Sequence, residues 1–317
     1  MPPIFTIVGA TGAQGGSVLD SALKSRLYSI RAITRDVSSA NSRALKSRGV
    51  EVVAADLDSE ESLIKAFEGS TAIFGLTNFF EAFVKFGPVA AVSIEVKQGK
   101  NLASAASKTP TLKHYIWSTL PDSERISEGR ISVPHFQGKV QIDAFIKGYE
   151  KLYAKTTFLW VGPYAQNFQY PWFTPSFLKT SGKHIQLGPV PSSTPIQTIG
   201  DINTNVGVFT SAILAQPGLT QGKFVLASVE NTTISGMLQA WGEATSKDTL
   251  YIELASIEEY DKIWPVWGKE IGLMLKFWGI VGKDSWSGEE VVTGEDLDLK
   301  DDQFMGSKAT FAKMNWN

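Results

Sequence analysis

The stretch from Ile4 to Gly16 constrains the fold more than any other part of the chain. Four of the five residues from Ile4 to Val8 are apolar, the pattern of a strand buried on both faces. Gly9, Gly12 and Gly15 then recur at a spacing of three, ahead of a helical pattern from Ser17 to Ser25. Strand, glycine turn and helix in that order convert a weak glycine motif into a dinucleotide-site reading. Glycine permits the tight turn and lets the backbone approach a pyrophosphate, while the helix N-terminus offers unpaired N–H groups and a positive dipole end. The competing reading is a plain strand-to-helix turn whose three glycines are incidental.

The segment Ser29–Asp36 reads as the second strand of a βαβ unit. An acid at the end of this strand binds the ribose hydroxyls of the cofactor, whereas an arginine there favours a 2′-phosphate. Both types are present, as Arg35 and Asp36. A guanidinium fork matches a phosphate dianion, so the pattern favours NADP over NAD; the alternative is a solvated Arg–Asp pair in an exposed loop. A polar helix from Ser38 to Arg48 leads to a third strand, Val50–Leu57. Asp56 and Leu57 fall at its exit, where they border an adenine ring or simply precede a helix capped by Asp58 or Ser59. The fourth strand, Ala72–Asn78, delivers Thr77 and Asn78 to the end of the sheet where ligands of open α/β folds bind.

A long helix from about Val89 to Ser107 follows, its charges read mainly as a solvated face, then a fifth strand at His114–Thr119. Residues 121–133 read as a polar, mobile loop. Pro134 starts the next helix, where proline is tolerated, and the spacing of four puts His135 and Lys139 on one helical face. The sixth strand is Thr156–Val161. Strands alternating with helices to this point predict a parallel sheet covered on both sides.

Near residue 163 the composition changes. Six aromatics and two prolines lie between Tyr164 and Phe177, a stretch suited to a pocket wall or to a patch that docks another chain. Further strands are expected at 223–227 and 250–254, with helices at 201–214 and 235–244, a Trp-rich helical tail through Trp264, Trp267 and Trp278, and a solvated acidic loop over 289–302. The division expected is a cofactor-binding domain over residues 1–162 plus about 195–228, and a smaller lobe over 163–194 and about 229–317.

A formal net charge of −2 over 317 residues gives no basic excess for nucleic acid or for an anionic membrane. No apolar run reaches the length of a membrane span. Residues 1–8 enter a strand without a basic and apolar leader, so no secretory signal is expected. The absence of cysteine rules out disulfides and thiolate chemistry and suits a reducing compartment; a cytoplasmic location is expected, with the nucleus added for a regulator. His114, His135 and His184 lack metal-ligand spacing, and no metal is expected.

Taken together, the segments Gly9–Gly15, Thr77–Glu81, Glu95–Lys100 and His135–Lys139 resemble the NmrA-like proteins, atypical short-chain dehydrogenases related to isoflavone and phenylcoumaran benzylic ether reductases. The likeness covers roughly residues 4–260. It implies a Rossmann-type, doubly wound parallel sheet with a smaller α/β carboxyl-terminal lobe, and NADP(H) as cofactor. By this resemblance Gly9, Thr11, Gly12, Gln14 and Gly15 hold the diphosphate, Arg35 takes the 2′-phosphate, and Asp56 and Leu57 take the adenine side. Thr77 and Asn78 meet the middle of the cofactor, Lys139 the nicotinamide ribose, and Tyr164 and Asn167 the nicotinamide. Lys139 is also the implied catalytic residue. The family's wider relatives carry Tyr-x-x-x-Lys; here His135 stands at the tyrosine position, and histidine can donate a proton near neutral pH.

Two functions are compatible with these residues. One is an NADPH-dependent reductase of a carbonyl, enone or imine on an apolar, aromatic small molecule, with Phe79, Phe168, Trp172, Trp264 and Trp267 against the substrate. The other is a non-catalytic NADP(H) sensor that docks a protein partner through the same aromatic surface.

Overall fold

The computed structural model describes residues 2–316. Its framework is a sheet of eight strands: β1 (Ile4–Ile7), β2 (Ser29–Thr34), β3 (Glu51–Ala54), β4 (Ser70–Gly75), β5 (His114–Thr119), β6 (Thr156–Val161), β10 (Phe224–Ala227) and β13 (Val291–Val292). The order across the sheet is β13-β10-β6-β5-β4-β1-β2-β3, and every pairing is parallel. The chain moves outward from β1 through β2 to β3, then returns to β4 on the other side of β1. This reversal opens a crevice beyond the carboxyl ends of β1 and β4.

Parallel strands need helical crossovers, and these cover both faces. Helices α1 (Ala13–Ser25) and α8 (Ile202–Ala215) bury Val18, Leu19, Val206 and Phe209 against Phe5, Ile7, Ile116 and Leu159 on one face. On the other, α3 (Glu60–Ala66), α4 (Phe79–Ser107) and α6 (Pro134–Lys147) bury Leu63, Leu102 and Ile142 against Tyr115, Trp117, Phe158 and Trp160. Alternate residues of β5 and β6 thus serve opposite cores, as the period of two requires. Shorter helices are α2 (Ala40–Ser47), α5 (Ser123–Ile126), α7 (Glu150–Tyr153) and α9 (Pro217–Thr220).

The remaining strands and helices form the smaller lobe. Antiparallel β9 (Pro195–Thr198) and β11 (Glu230–Thr233) make one pair, and β7 (Ser176–Leu178), β8 (Lys183–Gly188) and β12 (Thr249–Glu253) make a mixed sheet. Helices α10 (Ile234–Thr245), α11 (Ile257–Ile263), α12 (Trp267–Val281) and α13 (Ser307–Lys313) pack with them around Phe136, Trp241, Tyr260, Phe277 and Phe311.

Four expectations from the sequence are corrected. The fourth crossover helix begins at Phe79, ten residues early, because two helices run together across a kink at Gly87 and Pro88. Within it Glu95 is buried, although the helix's charges read as a solvated face. The acidic stretch is not wholly loop, since Val291 and Val292 add a strand beside β10 and Leu297 is buried. Residues 121–133 hold a helical turn: the Asp122 carboxylate accepts from the Arg125 N–H at 3.0 Å, and Ser123, Ser127 and Val133 are buried. No helix among the described residues is long and apolar enough to cross a membrane, and among them no group of three or more His, Cys, Asp or Glu could hold a metal ion.

Candidate cofactor and substrate site

The glycine turn lies at the crevice. Gly9 has φ +67°, a conformation that side chains resist. A Cβ at Gly15 would stand 2.2 Å from the Gly9 carbonyl oxygen, so only glycine lets the first turn of α1 press against the strand end. Gly12 is the extended N-cap of α1, with no side-chain cap and no acid in the first turn. The N–H groups there are therefore open to an anion, and the helix dipole favours one. Thr11, Gly12 and Ala13 are exposed, and Gln14 is fixed by a 2.7 Å hydrogen bond from the Ser118 hydroxyl at the end of β5. This backbone cradle fits a dinucleotide's pyrophosphate.

The shortened strands leave the neighbouring candidates in the loops just beyond them. The Arg35 guanidinium is exposed and reaches the Glu81 carboxylate at 3.0 Å. Arg35 in turn holds Glu81 below the usual carboxylate range. Asp36 turns instead onto its own loop, accepting from the Ser38 N–H at 2.8 Å and from the Ser38 hydroxyl at 2.5 Å, and these bonds lower its pKa. Asp56 is exposed, accepting from the Asp58 N–H at 2.9 Å, while Leu57 packs partly onto the core of that face.

Beyond β4, Thr77 is buried and Asn78 is the exposed N-cap of α4. The buried Lys139 ammonium donates to the Thr77 hydroxyl at 2.7 Å and to its carbonyl at 3.2 Å. It also lies 3.3 Å from Glu95, whose carboxylate accepts from the Thr77 hydroxyl at 2.8 Å. Lys139 further sits 4.9 Å from the centre of the Trp117 ring. One turn along α6, the Asp143 carboxylate accepts from Trp117 Nε1 and Thr119 Oγ1, each at 2.8 Å, and burial lifts its pKa to about 7.

His135 is buried one turn before Lys139, but its partner comes from the lobe: Nδ1 lies 2.5 Å from Oε1 of Glu270 on α12. Phe79 and Phe80 lie 5.9 and 5.3 Å from the imidazole. Trp267 joins this group 5.5 Å from Phe80, and Trp172 stacks on Trp267 at 4.3 Å. Trp264 is elsewhere, against Tyr260.

An open pocket lies just past the carboxyl end of β6, lined by residues of the lobe. Tyr164, Asn167 and Phe168, just past β6, line it together with Gln186, Met237, Leu275 and Trp278 among others. Burial pushes the Tyr164 phenol up to about 12. Of the five aromatics expected against a substrate, Phe168 lines this pocket, while Phe79, Trp172 and Trp267 pack together beside His135. Sequence reasoning missed Glu95, Glu270, Gln186 and Trp278 as site residues. Glu95 stood in a segment singled out and Trp278 in the Trp-rich tail, neither with a site role, and the spacing of Glu95 from Thr77 carries no sign of their bond.

A family model described as the NmrA-like family matches residues 4–297. The chain is 36% identical over 141 residues to the NmrA-like family domain-containing oxidoreductase notA of an Aspergillus species; the match covers 44% of this chain and only 40% of that protein. It is 26% identical over 265 residues to the NmrA-like family domain-containing oxidoreductase cpsB of Aspergillus campestris, covering 80% of this chain and 76% of that one. Among solved structures, NmrA, a negative transcriptional regulator in complex with NADP, superposes with a TM-score of 0.77 at 20% identity, covering 99% of this chain and 95% of that one. At that identity the likeness is one of fold. With nearly its whole length matched by the family model, the chain belongs to the NmrA-like family.

Proposed function

We propose that this chain is an NADP(H)-dependent reductase acting on an apolar, carbonyl-, enone- or imine-bearing small molecule. The observation that carries the reading is the apolar pocket that starts at Tyr164 and Asn167 beyond β6 and runs into the lobe, at the end of the sheet that also bears the glycine cradle. A protein that only gripped a nucleotide would not need it. The names of the relatives as oxidoreductases support the same reading.

When bound, NADPH supplies a hydride equivalent. Gly9, Gly12 and Gly15 would shape the turn around its pyrophosphate. The Gly12 N–H closes the turn onto the Gly9 carbonyl, and the open N–H groups of the first turn of α1 would meet the anion. Arg35 would take the cofactor's 2′-phosphate, since Asp36 is engaged by its own loop. Lys139 would meet the ribose. Its ammonium is held in place by Thr77 and Glu95, and it keeps a proton and a positive charge at Nζ where charge develops on a reduced oxygen or nitrogen.

A second reading, an NADP(H) sensor that docks a protein partner, draws on a different observation: Val84, Phe86 and Val89 stand exposed at the kink of α4. One assay separates the two. Purified protein is titrated with NADPH and NADP, then NADPH absorbance is followed with carbonyl, enone and imine substrates. Consumption that depends on protein and substrate supports the reductase. Tight nucleotide binding without consumption across the panel overturns it in favour of the sensor.

A further inference from the structure

Buried hydrogen-bonding atoms nearly always have partners, because leaving one unpaired costs its full desolvation penalty. Two exceptions belong to residues that line the pocket beside β6. Gln186 on β8 is 5% exposed. Its amide nitrogen donates to the Phe173 carbonyl at 2.7 Å, which fixes the orientation of the group, and its oxygen has no partner. Trp278 on α12 is 4% exposed, and its indole N–H also has none. Other unpartnered atoms occur among the described residues, but these two are the ones that line the pocket. The Tyr251 hydroxyl in the same wall is already committed to the Val190 carbonyl at 2.7 Å. The rest of the wall is chiefly aliphatic and aromatic, with Phe168, Ile196, Met237 and Leu275 in it.

We propose that Gln186 and Trp278 are the polar recognition pair of this pocket, and that its ligand is a compact, largely apolar molecule carrying one N–H or O–H donor and one carbonyl-type acceptor. The donor meets Gln186 Oε1 and the acceptor meets Trp278 Nε1. An apolar enclosure with a few placed polar groups is the usual build of a small-molecule site. A site built to hydrogen-bond a polar group discriminates strongly against analogues that lack it. The assignment rests on the pocket being the substrate site of the reductase reading, and it adds the class of molecule that the site selects.

The test uses the full chain saturated with NADP and three probes of similar size: 2-quinolone, which has both groups, N-methyl-2-quinolone, which keeps only the acceptor, and naphthalene, which has neither. Affinities are read by calorimetry. Each lost group is expected to weaken binding about tenfold. In Trp278→Phe, which keeps much of the aromatic bulk, both quinolones should lose about tenfold while naphthalene is unchanged. In Gln186→Met, only the 2-quinolone should weaken. Far-UV circular dichroism and thermal melting confirm that each variant folds. Equal affinity for all three probes, no binding by any, or an unaltered 2-quinolone affinity in folded Trp278→Phe overturns the assignment. If the ranking holds but no substrate of any class consumes NADPH, the recognition pair stands and the reductase reading falls.

Discussion

His135 and Glu270 are joined across the boundary between the sheet domain and the lobe, Nδ1 to Oε1 at 2.5 Å, with both side chains buried. The same carboxylate oxygen accepts from the His135 backbone N–H at 3.1 Å, in the first turn of α6. A residue from α12 thus satisfies an orphan N–H at the start of the helix that also carries Lys139.

Removing the Glu270 carboxylate leaves the His135 imidazole and backbone N–H without this buried acceptor, which costs about 1–3 kcal/mol. Glu270→Ala is therefore expected to lower unfolding stability by about that amount, measured by urea denaturation. A midpoint equal to that of the unmodified protein would show that the two elements are held by packing alone.

Gly15→Ala places a methyl 2.2 Å from the Gly9 carbonyl oxygen, so the turn must open. NADP affinity should fall about a hundredfold or more, a loss of about 2.7 kcal/mol. Gly16→Ala is the control for folding: its added carbon would lie 3.6 Å from the Ala10 carbonyl oxygen, an ordinary contact. Calorimetric titration of both variants decides the point, and retained affinity in Gly15→Ala would remove the cradle from the site.

Arg35 and Glu81 compete with any phosphate placed between them. Arg35→Ala should weaken NADP far more than NAD, and Glu81→Gln should strengthen NADP several-fold by freeing the guanidinium, with NAD little changed. Parallel titrations with both nucleotides measure this. Equal losses for the two in Arg35→Ala would overturn the 2′-phosphate role.

Lys139→Met should abolish turnover while much of the NADP affinity remains. It also leaves the Glu95 carboxylate buried without its cation, so stability should drop by about 3 kcal/mol. The double variant Lys139→Met/Glu95→Gln should recover stability but not turnover. Stopped assays and denaturation on the same preparations separate the chemical role from the structural one.

The pH dependence of stability contains two opposed contributions. Burial lifts Asp143 to about 7 and depresses His114 to about 4. Between about pH 4 and pH 7 the folded protein holds a proton on Asp143 that the unfolded chain releases, so this group makes stability fall as pH rises. Between about pH 4 and pH 6.5 the unfolded chain protonates His114 while the folded one does not, so this group makes stability rise with pH. Asp143→Asn should therefore show stability climbing across that window, and His114→Gln should show it declining. Denaturation at steps of pH checks both signs; identical profiles would refute the opposition.

Much of the framework was legible because it depends on local pattern. The strands His114–Thr119 and Thr156–Val161 are found where they were read, since continuous apolar runs between polar segments leave few alternatives. The glycine turn was legible for a similar reason: Gly9 and Gly15 answer constraints set by backbone within six residues. Strand ends were overextended at Asp36, Leu57 and Asn78, where pairing stops although the sequence stays compatible with it. Glu95, Glu270, Gln186 and Trp278 were not legible as site residues. Their partners or shared pocket come from distant parts of the chain, and in sequence a charge on a long helix reads as a solvated face. The short strand Val291–Val292 was hidden by its acidic neighbours, and only the open edge of β10 gives it a place.

That last strand has a consequence for how the molecule is made. Phe224 and Val225 pair with it on one side and with β6 on the other, yet the residues that complete the edge follow the other seven strands of the sheet in the chain and emerge after them. Until then the growing polypeptide carries a bare, apolar margin able to recruit a stranger's backbone. A message truncated shortly before codon 291 would yield a product with almost all of the nucleotide-facing half and a permanently adhesive border.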